Sequence, residues 1–240
     1  MTAKLRATAD EQSFAAVGAD IVCDVVRTVP NAVLTFATGQ SAMSIYRVLA
    51  ERVDRGEIDF SRVRVFELDG YVGIPLDDRR SLFAWLMRDV IVPLRIPEGA
   101  VTRLRGEASD PVSACREYDR ALDRAGGYDL ALLGLGPNGH VAFNEPPADP
   151  ESDAHVLDVT DESVESAVRY WGSRTEVPRR AITTGLRPLI AARHVLLAAR
   201  GEAKRGALER ALVGEGDPMT PASFLNRSAD VTFLTDLPMP

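Results

Sequence analysis

Short apolar runs at 32–37, 130–135, 195–199 and 231–234, with a cluster at Val63, Val65, Phe66 and Leu68, are separated by stretches whose apolar residues recur every three or four positions. A run of that length suits a strand buried on both faces, and three- to four-residue spacing lines one face of a helix. Such strands joined through amphipathic helices point to an α/β fold: an open, mostly parallel sheet flanked by helices, Rossmann-like in plan. The spacing predicts helices over 10–29, where Phe14, Val17, Ile21, Val22, Val25 and Val26 share a face, and over 45–53, 82–90, 110–124 and 202–213. Neither repeats nor low-complexity tracts interrupt the order. The Pro146–Asp153 stretch reads as an exposed loop too short to link domains, so residues 1–240 read as a single domain.

Composition removes several classes of function. A net charge of −7 and a pI near 5.1 leave no overall basic field for nucleic acid. Asp10 and Glu11 fall where a secretory signal needs an apolar core, and no apolar run approaches the roughly 18 residues of a membrane span. A cytoplasmic chain without nucleic-acid or membrane partners is expected. Cys23 and Cys115 lie far apart in helical segments and belong to no Cys-x-x-Cys pair, which makes them packing residues rather than a disulfide or a zinc site.

In open α/β sheets, ligands sit beyond the carboxyl ends of the strands. Here those ends are polar: Thr38-Gly39-Gln40-Ser41, Glu67-Leu68-Asp69-Gly70, Gly134 through His140, and Arg200 through Lys204. Thr38 to Ser41 opens a helix, where free N–H groups favour an anion, and equally supplies an ordinary N-cap. Lys204, early in a helix, opposes the helix dipole unless an anion is near; a solvated surface lysine is the alternative. Asp69 suits a general base at a strand end, or a turn cap before Gly70. Gly134 to Gly139 matches Gly-x-Gly-x-x-Gly, but Pro146 and Pro147 stop any helix soon after it, so no dinucleotide site is expected. The same loop places His140 two residues after Asn138 and five before Glu145, a proton-moving imidazole beside a carboxylate that can orient it. His155 and His194 begin apolar stretches and read as structural.

The run from Gly134 to Pro146, Gly-Leu-Gly-Pro-Asn-Gly-His-Val-Ala-Phe-Asn-Glu-Pro, closely resembles the signature of the glucosamine-6-phosphate deaminase (isomerase) family. Phe66 to Pro75 is similar to that family's Asp-Glu-Tyr-Val-Gly-Leu-Pro block, and Thr38 to Ser41 to its Thr-Gly-Gly-Thr phosphate loop. Arg169 lies where the family has a substrate arginine, and Lys204 matches its phosphate lysine. The likeness covers nearly the whole chain. It implies conversion of an amino-sugar 6-phosphate to a ketose 6-phosphate plus ammonia, with neither metal nor cofactor. In that scheme His140, oriented by Glu145 with Asn138 beside it, opens the sugar ring and Asp69 shuttles a proton between C2 and C1. Thr38, Gly39, Gln40, Ser41, Arg169 and Lys204 hold the phosphate.

Several positions depart from the family pattern. Gly70 stands where the family has glutamate, which reads as a carboxylate removed from the site; Gln40 and Ala42 replace glycine and proline in the phosphate loop, the longer Gln40 crowding the anion; Leu82 replaces an aromatic. These bear on which hexosamine 6-phosphate fits. Two rivals remain: a 6-phosphogluconolactonase-type hydrolase, whose loop lacks the Phe143-Asn144-Glu145-Pro146 continuation, and a non-catalytic sugar-phosphate-binding regulator, against which stand Asp69, His140 and Glu145. The partner expected is a small sugar phosphate, and a homo-oligomer is compatible with the sequence. With the last strand close to Pro240, no C-terminal allosteric extension is expected.

Overall fold

Leu130, Ala131, Leu132 and Leu133 are all fully buried, which a strand achieves only when helices cover both sides of its sheet. The computed structural model describes residues 4–214 and 216–239. Along the chain run β1 (Lys4–Ala7), α1 (Glu11–Thr28), β2 (Val33–Phe36), α2 (Met43–Asp54), β3 (Arg64–Phe66), β4 (Asp69–Tyr71), α3 (Leu82–Leu86), β5 (Val101–Thr102) and α4 (Pro111–Ala125). There follow β6 (Leu130–Gly134), β7 (His155–Asp158), α5 (Asp161–Trp171), β8 (Arg180–Thr183), α6 (Leu186–Ile190), β9 (His194–Ala199), α7 (Arg205–Ala211) and β10 (Val231–Thr235).

Seven strands form one parallel sheet in the order β1-β10-β9-β6-β2-β3-β5. Side-chain alternation sorts its residues between two cores. Leu34, Leu132, Leu196 and Leu234 pack with Phe14, Ile45, Tyr46 and Leu49 of α1 and α2. Ala131, Leu133, Leu197 and Phe233 pack with Tyr118 and Leu122 of α4 and Leu208 of α7. Each fully buried Leu or Phe of this kind contributes roughly 1.5–3 kcal/mol. Caps fix where the long helices start: Asp10 accepts from Ser13 N at 2.7 Å and Asp110 from Ser113 N at 3.0 Å, while Gly126, at φ 89°, closes α4.

The expected sheet and helices are present, and the structure adds elements that periodicity did not show. Edge strand β1 is exposed along its length and alternates Lys4 and Arg6 with Leu5 and Ala7, charges that blunt a free sheet edge. Strands β4, β8 and β7 form a separate antiparallel sheet, backed by a third apolar cluster of Tyr71, Phe143, Val164, Trp171 and Ala181. The helix expected over 82–90 changes at Met87 into a π-helical turn, and that over 202–213 starts as a 3-10 turn, Glu202–Lys204.

The loop 146–153 is not simply exposed. The Ser152 hydroxyl and carbonyl accept from Leu186 N and Arg187 N at 3.0 and 3.1 Å, and Gly185 lies so close to the Ser152 carbonyl that a side chain there has no room. Both cysteines are buried and unbridged, as expected of packing residues. Among the described residues, no helix is long and apolar enough to cross a membrane.

Candidate active site

Strand β2 lies between β3 and β6, so the chain leaves it one way and returns on its other side. Loops from neighbouring strands then part at their carboxyl ends and leave a crevice. A cleft of about 200 Å³ occupies that position. Thr38 to Ser41 enter it from the end of β2, Asp69 and Tyr71 from β4, the 134–140 loop from the end of β6, and Lys204 from the turn after β9. Helix α5 adds Ser163, Ser166, Arg169 and Tyr170.

One end of the cleft suits an anion. Neither Thr38 nor Ser41 caps the turn that opens α2, so the N-cap alternative fails and the hydroxyls are not spent on the helix. Lys204 is half-buried rather than solvated, with Nζ donating to Leu135 O at 2.6 Å. Burial lowers its pKa, and the neighbouring Arg169 guanidinium lowers it further, because two cations there repel until an anion arrives. Gln40 lines the cleft at its rim, where its side chain is exposed to solvent.

The other end gathers the titratable groups. Asp69 is only 8% exposed, its Oδ1 has no hydrogen-bond partner, and burial pushes its pKa up to about 7. His140 Nδ1 lies 3.3 Å from Glu145 Oε2 and 3.3 Å from Ser163 Oγ. Glu145 Oε2 also accepts from Asn138 Nδ2 at 2.7 Å and Thr160 Oγ1 at 3.2 Å, while Asn138 Oδ1 accepts from His140 N at 3.2 Å. Burial alone would raise the Glu145 pKa. The hydrogen bond and charge of His140, with Ser163 and Asn138, outweigh it and hold the group at about 2. Two carboxyls at one site, one near 7 and one near 2, are fitted to different tasks: a base that exchanges protons near neutral pH and a permanent anion that steadies an imidazole.

Local backbone geometry holds the imidazole. Gly136 N donates to His140 O at 2.8 Å, and a Cβ on Gly136 would lie 2.3–2.4 Å from the His140 ring. Gly136→Ala is therefore expected to displace the ring and lower turnover by about 10²-fold or more, the range of a mispositioned catalytic group. Steady-state kinetics on a variant of unchanged melting temperature checks this; wild-type turnover would refute it. Ala142, also in the cleft, sits in the left-handed region at φ 53°, held there as Asn144 Nδ2 donates to Val141 O and Thr184 O at 3.0 Å each.

The structure corrects the expectation for Gly70. In β4 it alternates with Asp69 and Tyr71, which face the cleft, so position 70 faces away. A Cβ there would meet Glu67 Oε1 at 3.8 Å and Leu104 O at 3.9 Å. Glycine at this position takes no carboxylate out of the cleft. Glu67 itself is buried behind the strand, where burial raises its pKa to about 8 against the pull of Arg103 and the Leu104 N–H.

Of the candidate residues, Thr38, Gly39, Gln40, Ser41, Asp69, His140, Arg169 and Lys204 line the cleft, and Asn138 and Glu145 are bonded to the His140 loop and ring. His155 and His194 bond elsewhere, to Asp153 O and to Asp230 at 2.8 Å each. Sequence reading missed Thr160, Ser163, Ser166 and Tyr170, and quoted Tyr71 and Gly136 within motifs without giving either a role in the site. Thr160 to Ser163 did carry a signal, a capping residue followed by Asp161 and Glu162, and Thr160 Oγ1 accepts from Ser163 N at 3.3 Å. No group of three or more His, Cys, Asp or Glu residues is placed to hold a metal among the described residues.

Residues 8–234 match the family described as glucosamine-6-phosphate isomerases/6-phosphogluconolactonase. A glucosamine-6-phosphate deaminase of Rhodopirellula baltica is 37% identical over 227 residues, 95% of this chain and 90% of the relative. One of Clostridium botulinum is 35% identical over 207 residues, 86% of this chain and 85% of the relative. Among solved structures, a monomeric glucosamine-6-phosphate deaminase superposes with a TM-score of 0.94 at 29% identity, covering 97% of this chain and 96% of that one. A 6-phosphogluconolactonase of Thermotoga maritima superposes with a TM-score of 0.77 at 21% identity, over 98% and 99% of the two chains, a likeness of fold alone.

Proposed function

Because the chain belongs to the glucosamine-6-phosphate isomerase/6-phosphogluconolactonase family, we propose that it converts glucosamine 6-phosphate, or a closely related hexosamine 6-phosphate, and water to a ketose 6-phosphate and ammonia. The observation that carries the reading is one cleft that brings the buried, unpartnered Asp69 carboxyl and a His140 ring held by Glu145 together with the cations Arg169 and Lys204. His140, steadied by Glu145 and Asn138, passes the proton that opens the sugar ring. Asp69 takes the proton from C2 and returns it to C1, a transfer worth about 10²- to 10⁴-fold for a positioned base. Water then replaces nitrogen at C2. Lys204, Arg169 and the 38–41 turn hold the phosphate, which fixes the sugar against the base.

Lactone hydrolysis, the rival chemistry, has no use for a base at C2. Incubation with glucosamine 6-phosphate should release one ammonia per ketose 6-phosphate formed. Hydrolysis of 6-phosphogluconolactone with no ammonia from any hexosamine 6-phosphate would replace this reading with the lactonase one.

A further inference from the structure

Helix α5 begins against the His140 ring. Thr160, its N-cap, accepts from Ser163 N at 3.3 Å and donates its own hydroxyl proton to Glu145 Oε2 at 3.2 Å. With the cap supplied by Thr160, the Ser163 hydroxyl is not spent on the helix. It is buried, lines the cleft and lies 3.3 Å from His140 Nδ1. It also bonds to Glu145 and is among the groups that keep that carboxyl ionised. An ionised carboxylate only accepts, so the Ser163 hydroxyl gives its proton to Glu145 and turns a lone pair toward the ring. A lone pair facing Nδ1 calls for a proton on Nδ1, and Glu145 Oε2, 3.3 Å from the same nitrogen, calls for it too. A neutral imidazole carries one N–H, so both acceptors favour the tautomer whose Nε2 is bare.

We propose that Ser163 is a positioning residue for the ring-opening step: its hydroxyl, shared between Glu145 and His140 Nδ1, keeps the neutral imidazole protonated at Nδ1 and Nε2 free to accept a proton from the sugar. The inference rests on the proposed deamination, which starts by opening the sugar ring. Nε2 takes the proton of the O1 hydroxyl, C1–O1 becomes the carbonyl, the C1–O5 bond breaks with its electron pair on O5, and Nε2 returns the proton there. A ring protonated at Nε2 has no lone pair on that nitrogen to begin the step. Glu145 alone holds the ring less firmly, because Oε2 already accepts from Asn138 at 2.7 Å and Thr160 at 3.2 Å. Ser163 adds a second acceptor on Nδ1. Arg169 stands near the far end of the same helix, so the loss of one hydroxyl at its start leaves the phosphate grip in place.

Nitrogen NMR of the free protein, labelled at histidine, tests the tautomer without substrate. The chain has only three histidines, and the spectrum of a His140→Gln variant identifies the signals of this one. At a pH where the ring is neutral, the wild type should show His140 protonated at Nδ1, and Ser163→Ala should move both ring nitrogens toward the average of two tautomers. With glucosamine 6-phosphate the same variant should lose about tenfold in kcat, the worth of one orienting hydrogen bond. KM and the inhibition constant of inorganic phosphate should stay within about twofold of wild type, a split that general loosening of α5 would not give. A wild-type ring protonated at Nε2, which needs no variant to detect, overturns the proposal. So does a Ser163→Ala variant with an unchanged ring signal or a wild-type kcat, or one whose KM and phosphate inhibition worsen as much as kcat. Ammonia release by the wild type leaves the deaminase reading intact in each of these cases, whereas a wild type that releases none removes that reading and the ring-opening role with it.

Discussion

Replacing Asp69 with asparagine should cost about 10³-fold or more in turnover and at the same time make the unliganded protein more stable above pH 7. Both effects come from the same burial. In the unfolded chain the carboxyl ionises near 3.8, and in the folded protein only near 7. Below pH 3.8 both states hold the proton and the group costs nothing. Between those values the unfolded chain releases its proton and the folded one keeps it, so stability falls as pH rises, and above pH 7 the full cost applies. Its upper limit is about 4 kcal/mol, and the unpaired donors of the new amide trim the gain to about 1–2 kcal/mol. Urea denaturation should show a variant about 2 kcal/mol less stable than wild type at pH 4, where only the amide's unpaired donors count, and about 1–2 kcal/mol more stable at pH 8. In the wild type, kcat/KM should rise with pH through about 7 as the base form fills. A variant that is no more stable at pH 8 would mean that Asp69 is not held against its ionisation.

The other large effect falls on Lys204. Lys204→Met should lower kcat/KM by about 10²- to 10³-fold, chiefly through KM, the loss of a charge-assisted phosphate contact worth about 3–4 kcal/mol. Competitive inhibition by inorganic phosphate should weaken in parallel, and that separates loss of anion binding from loss of the proton-transfer machinery. The folded protein loses one donor to Leu135 O but is also relieved of a half-buried ammonium repelled by Arg169, so its melting temperature should change little. An unchanged KM together with unchanged phosphate inhibition would remove Lys204 from the phosphate site.

The parts legible in the sequence are those where burial is complete or geometry is local. Leu130 to Leu133 read as a strand because both faces of the sheet are covered, and α1 reads as a helix because one stripe is apolar. The His140 loop is legible because Gly136, Asn138, His140 and Glu145 are close in sequence and serve one ring. Strand β4 was not, since Asp69, Gly70 and Tyr71 are too few and too polar to show a period. Nor was the roof of the cleft. The apolar residues of α5 pack on the small sheet rather than the main one, and Arg169 meets Lys204 only in the folded chain. Gly70 shows the limit of motif reading: whether its lost side chain matters depends on which way a three-residue strand faces.

Asp69 is carried by the small antiparallel sheet, while the 38–41 turn and Lys204 follow strands of the large parallel one. The proposed proton acceptor and the proposed phosphate anchor thus have separate supports. A slip or tilt of β4 against Ala181 and Ile182 would carry the base along the sugar's carbon chain while the phosphate stayed where it was. A change in which carbon loses its hydrogen can therefore originate beneath the cleft, at residues that never touch the sugar.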